Sequence, residues 1–120
     1  MFLWSVLAFK KIKDCKQIIL VVSKEKIHEM LKYKKIYGVD VVCGGKERFD
    51  SVKNGLNIVN RDADFVAVHD AARPLITEDA INEILLSAME NGGAIAAAPA
   101  KDSIKLSING KSLTKSLDRK

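Results

Sequence analysis

Helical and strand-like hydrophobic periods take turns along most of this chain, and few architectures accept that pattern. Phe2, Val6, Phe9 and Ile12, with Leu3 and Leu7 beside them, recur at helical spacing. Residues 17–23 (QIILVVS) then form a continuous apolar run of strand length. Residues 24–37 return to the helical period through Ile27, Met30, Leu31 and Lys34, Gly38 closes that helix, and residues 39–43 read as a second strand. A polar loop over 44–50 leads to a helix over 51–59 marked by Val52, Leu56 and Val59, and residues 64–69 (DFVAVH) read as a third strand. Thr77 can cap a helix whose apolar face is Ile81, Ile84, Leu85 and Ala88; Gly92 and Gly93 end it before a fourth strand over 94–98 (AIAAA). Strands that are apolar on both faces and alternate with helices need cover on both sides. The pattern therefore predicts an α/β fold with a doubly wound, mostly parallel sheet, its Rossmann-like core spanning residues 1–98.

The remaining residues, 99–120, change period. Ile104, Leu106 and Ile108 alternate with polar residues, Asn109-Gly110 supplies a two-residue hairpin turn, and Leu113 and Leu117 follow on a second arm. This predicts an antiparallel C-terminal β-arm. A lone ribbon cannot bury its own apolar face, so the arm is a candidate for packing against another subunit. Neither end reads as a domain boundary: the first helix opens without a cap or a preceding strand, and the chain stops with no closing element.

Length and charge remove several classes of function. A chain of 120 residues can bury one core and not two. The apolar stretch over residues 1–9 is far shorter than the ~20 residues of a membrane-spanning helix, and it lacks the basic start and cleavage pattern of a secretory signal. A cytoplasmic protein with no membrane association is expected. Cys15 and Cys43 are too few for a disulfide scaffold or a four-ligand zinc site, and read as buried thiols on or beside strands. The net charge of +5 is concentrated in residues 1–60, which hold 12 Lys and Arg against 6 Asp and Glu. Nucleic acid and a phosphorylated small molecule both suit such a surface, but no interleaved aromatic and basic stripe supports nucleic acid.

Ligands of open α/β sheets bind beyond the carboxyl ends of strands, which directs attention to two loops. In residues 44–51 (GGKERFDS), paired glycines let backbone N–H groups approach a base or phosphate, and Arg48 adds charge at a helix N-terminus. The same residues also suit a tight turn in which Asp50 or Ser51 caps the next helix. In residues 69–74 (HDAARP), Asp70 is placed as a hard-oxygen ligand for Mg²⁺, two alanines leave room, Arg73 offers a fork for phosphate and Pro74 stiffens the turn. Asp70 and Arg73 equally suit a structural ion pair. His69 reads as a packing residue and His28 as solvated. No arrangement suggests a covalent nucleophile.

Four strings in order, GGKERFDSVKNGL at 44–56, FVAVHDAARP at 65–74, APAKDSIK at 98–105 and SLDR at 116–119, give the chain a resemblance to the 2-C-methyl-D-erythritol 4-phosphate cytidylyltransferase family. The resemblance implies a partial nucleotide-diphospho-sugar transferase-like fold. It also implies transfer of CMP from CTP to methylerythritol phosphate with release of pyrophosphate, in the non-mevalonate isoprenoid pathway. Mg²⁺ would be the cofactor, and a homodimer hooked by the β-arm the assembly. Residue by residue, Gly45, Lys46 and Ser51 match positions that recognise cytosine and ribose, with a backbone role at Lys46, where relatives often carry an acid. Asp70 matches the metal-binding aspartate and Arg73 a substrate-phosphate contact. Ser103 stands where threonine is usual, and Arg119 matches the arginine that positions methylerythritol phosphate across the dimer.

The family's opening strand with its glycine-rich basic loop, and its later lysine, have no counterpart among these residues. The resemblance therefore implies an internal piece of such an enzyme, itself inactive. Two other readings stand beside it: a ribitol 5-phosphate cytidylyltransferase, and a catalytically dead remnant that still dimerises.

Overall fold

The computed structural model describes residues 1–117. It divides into two compact units, Met1–Glu83 and Ile84–Lys120.

The first unit begins with α1 (Phe2–Lys10), which buries Ser5 and Val6. The predicted helical period ran on to Ile12; that residue is buried but sits in the turn after the helix. β1 (Ile19–Val22) follows, then a single 3-10 turn (Lys24–Lys26), α2 (Ile27–Tyr37) and β2 (Asp40–Cys43). β1 and β2 pair in parallel from Ile19 opposite Asp40 to Val22 opposite Cys43. Backbone bonds from Asp40 to the Ile18 carbonyl (2.8 Å) and from Gly44 to the Val22 carbonyl (2.7 Å) extend that ladder at both ends. Gly38 takes φ of +63° as the residue ending α2, a conformation that strains any residue with a Cβ. Val39, next along, is the most deeply buried large side chain, 2% exposed, and shares the small core with Val6, Ile12, Met30 and Ile81.

Gln17 ties this layer together at the amino end of β1. Its amide donates to Asp40 Oδ2 (2.9 Å) and to the Ile58 carbonyl (3.0 Å), and its oxygen accepts from the Asn60 N–H (2.9 Å). α3 (Arg48–Leu56) lies against β1, where a Cβ on Gly55 would come within 3.1 Å of Val21. α4 (Glu78–Asn91) begins as the sequence predicts, with Thr77 Oγ1 accepting from the Ala80 N–H at 3.2 Å, and the unit boundary falls inside it. Phe2 meets Tyr33 edge-on at 5.1 Å, which seats α1 on α2.

Several expectations are corrected. Residues 64–69 and 94–98 pair with no strand among the described residues, so neither the third nor the fourth predicted strand forms. Apolar composition suits a segment to burial, but a strand also needs a neighbour to take up its N–H and C=O groups, and among the described residues the parallel sheet contains only β1 and β2. Phe65, Val66 and Val68 remain 42%, 49% and 57% exposed. The helix predicted over 51–59 starts three residues earlier, at Arg48. Both cysteines are free and only half-buried, Cys43 on β2 and Cys15 ahead of β1. Burial and the Gln17 carbonyl act in opposite directions on the Cys15 thiol, and burial, the larger effect, pushes its pKa up.

In the second unit, β3 (Lys105–Leu106) and β4 (Lys115–Ser116) pair antiparallel. The connection is wider than the predicted two-residue turn. Asn109 Oδ1 accepts from the Lys111 and Ser112 N–H groups, both at 2.9 Å, so the side chain rather than a tight backbone turn organises the bend. Ile108 and Leu113 stand 86% and 71% exposed.

Candidate functional site

Both loops singled out by sequence lie in the first unit, and the structure joins them. After β2 the chain folds back on the start of α3. Ser51 Oγ accepts from the Gly45 N–H and donates to the Glu47 carbonyl, both at 3.1 Å, while Asp50 Oδ2 accepts from the Glu47 N–H at 3.1 Å. Glu47 is thus the N-cap, and neither Asp50 nor Ser51 holds that position; both act from within the helix. The glycines are required by this fold-back. A Cβ on Gly44 would meet Ser51 Oγ at 2.8 Å, and one on Gly45 would run into the Cβ of Asp50. Asn54 Nδ2 donates to the Cys43 carbonyl at 3.1 Å, fixing α3 to the end of β2.

Arg48, in the first turn of α3, reaches the second loop. Its Nη2 donates to Asp70 Oδ1 at 3.1 Å, and Arg73 Nε stands 3.9 Å from Asp70 Oδ2. The hydrogen bond and charge of Arg48 hold the Asp70 carboxyl below the usual carboxylate range, with smaller contributions from Arg73 and His69. The turn itself closes through the Arg73 N–H on the Asp70 carbonyl at 2.9 Å. The result is an exposed carboxylate flanked by two guanidinium groups, an arrangement able to meet both a cation and a phosphate.

Among the described residues, no group of three or more metal-ligating side chains converges. Asp70 is a single carboxylate. Magnesium is commonly held by one or two carboxylates together with waters and substrate phosphates, so this donor set fits a cation that arrives with a nucleotide.

The other predicted positions are less closely joined. Gly45 and Ser51 sit in the fold-back beside Arg48, and Lys46 is exposed at its tip. Ser103 belongs to the second unit, and Arg119 lies outside the described residues. An open groove of about 380 Å³ between α1 and residues 74–78, with Trp4 and Leu7 on its wall, is lined by none of these residues. The sequence reading missed two features. One is the Arg48–Asp70 contact, for which placement of both loops after predicted strands was the available signal. The other is the pair of hydrogen bonds made by His69, which had no sequence signal beyond its place before Asp70.

The class of protein is set first by the fold. The chain superposes on the crystal structure of 4-diphosphocytidyl-2C-methyl-D-erythritol synthase from Anaerococcus prevotii with a TM-score of 0.88, covering 98% of this chain and 55% of that one at 22% identity. An α/β architecture with a small parallel sheet is thereby defined. The family model for 2-C-methyl-D-erythritol 4-phosphate cytidylyltransferase (IspD) matches residues 1–120, and the chain belongs to that family. The protein of that name from Endomicrobium trichonymphae is 50% identical over 119 residues, which are 98% of this chain and 53% of the relative. The one from Alkaliphilus oremlandii is 43% identical over 110 residues, 86% of this chain and 46% of the relative. The chain thus spans about half the length of the curated relatives it matches. Among the described residues, no helix is long and apolar enough to cross a membrane.

Proposed function

We propose that this chain is a portion of a cytidylyltransferase that moves CMP from CTP to 2-C-methyl-D-erythritol 4-phosphate. An oxygen of the sugar-alcohol phosphate attacks the α-phosphorus of CTP, the bond to the β-phosphate breaks, and pyrophosphate leaves. The observation that carries the reading is the Arg48–Asp70–Arg73 cluster, which joins the two loops beyond the sheet. Bringing two anions together demands positive charge, and two guanidinium groups about one carboxylate supply it just beyond β2.

In this reading Gly45, Lys46 and Ser51 hold cytosine and ribose. The fold-back of the glycine loop onto α3 supports that assignment, because it seats the loop's main chain against the first turn of the helix that carries Arg48. Asp70 holds Mg²⁺ bound with the nucleotide, and the ion supplies charge neutralisation at the phosphates when bound. Arg73 receives a substrate phosphate, Ser103 contributes a hydroxyl to substrate binding, and Arg119 positions methylerythritol phosphate. The exposed apolar side chains of the β3–β4 ribbon suit an arm that grips a second subunit of a homodimer.

The test is a chimaera in which this chain replaces the aligned 119 residues of the Endomicrobium trichonymphae relative. Pyrophosphate release from CTP is measured with methylerythritol phosphate and, separately, with ribitol 5-phosphate. Turnover with methylerythritol phosphate is expected, and Asp70→Asn should lower it by about a hundredfold or more while the melting temperature holds, because a neutral amide coordinates a hard cation poorly. Preference for ribitol 5-phosphate, or full activity in Asp70→Asn, would sink the reading.

A further inference from the structure

Helix α1 and the turn at residues 69–73 meet at one imidazole. His69 Nε2 lies 3.1 Å from Ser5 Oγ and 3.1 Å from the Arg73 carbonyl oxygen. A carbonyl only accepts, so the Arg73 contact requires a hydrogen on Nε2, and that one N–H is directed at two oxygens. Ser5 is itself a fixed point, a polar residue only 6% exposed, next to the core residue Val6. The ring also tilts against Phe9, with centroids 5.5 Å apart.

Packing alone does not account for this placement. Any aromatic ring would meet Phe9, whereas the two oxygens need an N–H. The backbone offers little restraint of its own on this side of the turn. Residues 64–69 pair with no strand among the described residues, and Asp70, Ala71, Ala72 and Arg73 are all exposed. A side-chain tether to α1 stands where a strand ladder would otherwise hold the chain.

We propose that His69 is a positioning residue: by fastening the Arg73 carbonyl to α1 through the Ser5 contact, it sets where the Asp70 carboxylate and the Arg73 guanidinium stand. The purpose of that order rests on the function proposed above, since both charged groups must face one phosphate-bearing substrate in a fixed relation. The tether itself is a matter of geometry and is read without substrate.

Two variants of the 120-residue chain separate tether from packing. His69→Phe keeps a ring against Phe9 and has no donor; His69→Gln keeps an amide N–H at about the reach of Nε2 and has no ring. Amide hydrogen exchange of Arg73, whose N–H closes the turn, is compared with the amides of α2 as an internal reference. Loss of one net hydrogen bond is expected to speed Arg73 exchange roughly fivefold in His69→Phe, with near-original exchange in His69→Gln and α2 unchanged in both. The opposite order, or equal acceleration throughout α2 in both variants, would overturn the proposal. Failure of CMP transfer in the chimaera would remove the proposed reaction without altering what exchange reports about the tether.

Discussion

Replacing Gln17 by alanine removes three hydrogen bonds in one step and exposes how the sheet is braced. The amide bonds Asp40 Oδ2 at 2.9 Å, the Ile58 carbonyl at 3.0 Å and the Asn60 N–H at 2.9 Å, linking the start of β2 to the turn after α3. A hydrogen bond to a charged group contributes about 1.5–3 kcal/mol and a neutral one about 1 kcal/mol, but water replaces part of each where the groups are accessible. Asp40 is only half-buried and the Ile58 and Asn60 contacts are exposed, so the three together are worth about 2 kcal/mol. With a urea slope of about 1.3 kcal/mol per molar, the unfolding midpoint should fall by roughly 1.5 M. The effect also carries a pH signature. The Gln17 hydrogen bond is the largest influence on the Asp40 carboxyl and lowers its pKa; burial opposes it, and Lys34 at 3.4 Å adds a smaller lowering. A carboxyl whose folded pKa is depressed contributes stability that is present above its unfolded value and disappears as pH falls through the folded one. Gln17→Ala should therefore flatten the loss of stability on acidification and move the Asp40 titration, followed by carbon-detected NMR, upward, with burial and Lys34 left to oppose each other. A midpoint shift below about 0.4 M, corresponding to ~0.5 kcal/mol, together with an unmoved Asp40 titration would refute the bracing role.

The glycine loop and the charge cluster yield two more expectations. Gly45→Ala places a Cβ against the Cβ of Asp50 and should cost about 2 kcal/mol in urea unfolding, a typical overpacking penalty, whereas Gly93→Ala, where a Cβ meets nothing within 4 Å, serves as the near-neutral control. Arg48→Ala should raise the Asp70 pKa toward the ordinary carboxylate value, since Arg48 is the largest influence on it, and Arg73→Ala should raise it less. An NMR titration in which the two substitutions act equally would contradict the dominance of Arg48.

What the sequence makes legible follows from the range of the interactions involved. β1, β2, α2 and α4 form close to where hydrophobic period and capping residues predict them, because those signals are local: Gly38 ends α2 and Thr77 starts α4 in the predicted places. Residues 64–69 carry an equally strong apolar run, yet their strand character depends on a neighbour that their own composition cannot specify. The start of α3 is misjudged for a related reason. Ser51 and Asp50 are good caps by type, but Asp50 acts from inside the first turn and reaches back to Glu47, so the helix opens earlier than residue preference alone suggests. The site is half legible. Glycines and charges after predicted strands identify both loops, while the contact between Arg48 and Asp70, and that between His69 and Ser5, join residues far apart in sequence, which local periodicity does not pair.

That Arg48–Asp70 contact also bears on the choice between a structural ion pair and a ligand site. The side chains of Arg48 and Asp70 are 71% and 47% exposed, and exposed pairs contribute about 0–1 kcal/mol. Arg73 at 3.9 Å adds a still weaker partner. A contact this weak does little to hold the two loops together; Asn54 on the Cys43 carbonyl and the fold-back at Ser51 already anchor α3. What the pair does supply is charge kept in place at small cost to release. On the function proposed above, a phosphate would take Arg48 and a cation would take Asp70, the cation replacing Arg48, the main cause of the lowered Asp70 pKa, as the positive partner of the carboxylate. In that reading, ion pair and ligand site would be two occupancies of the same three side chains, and an exposed pair this weak is one that a substrate could open at small cost.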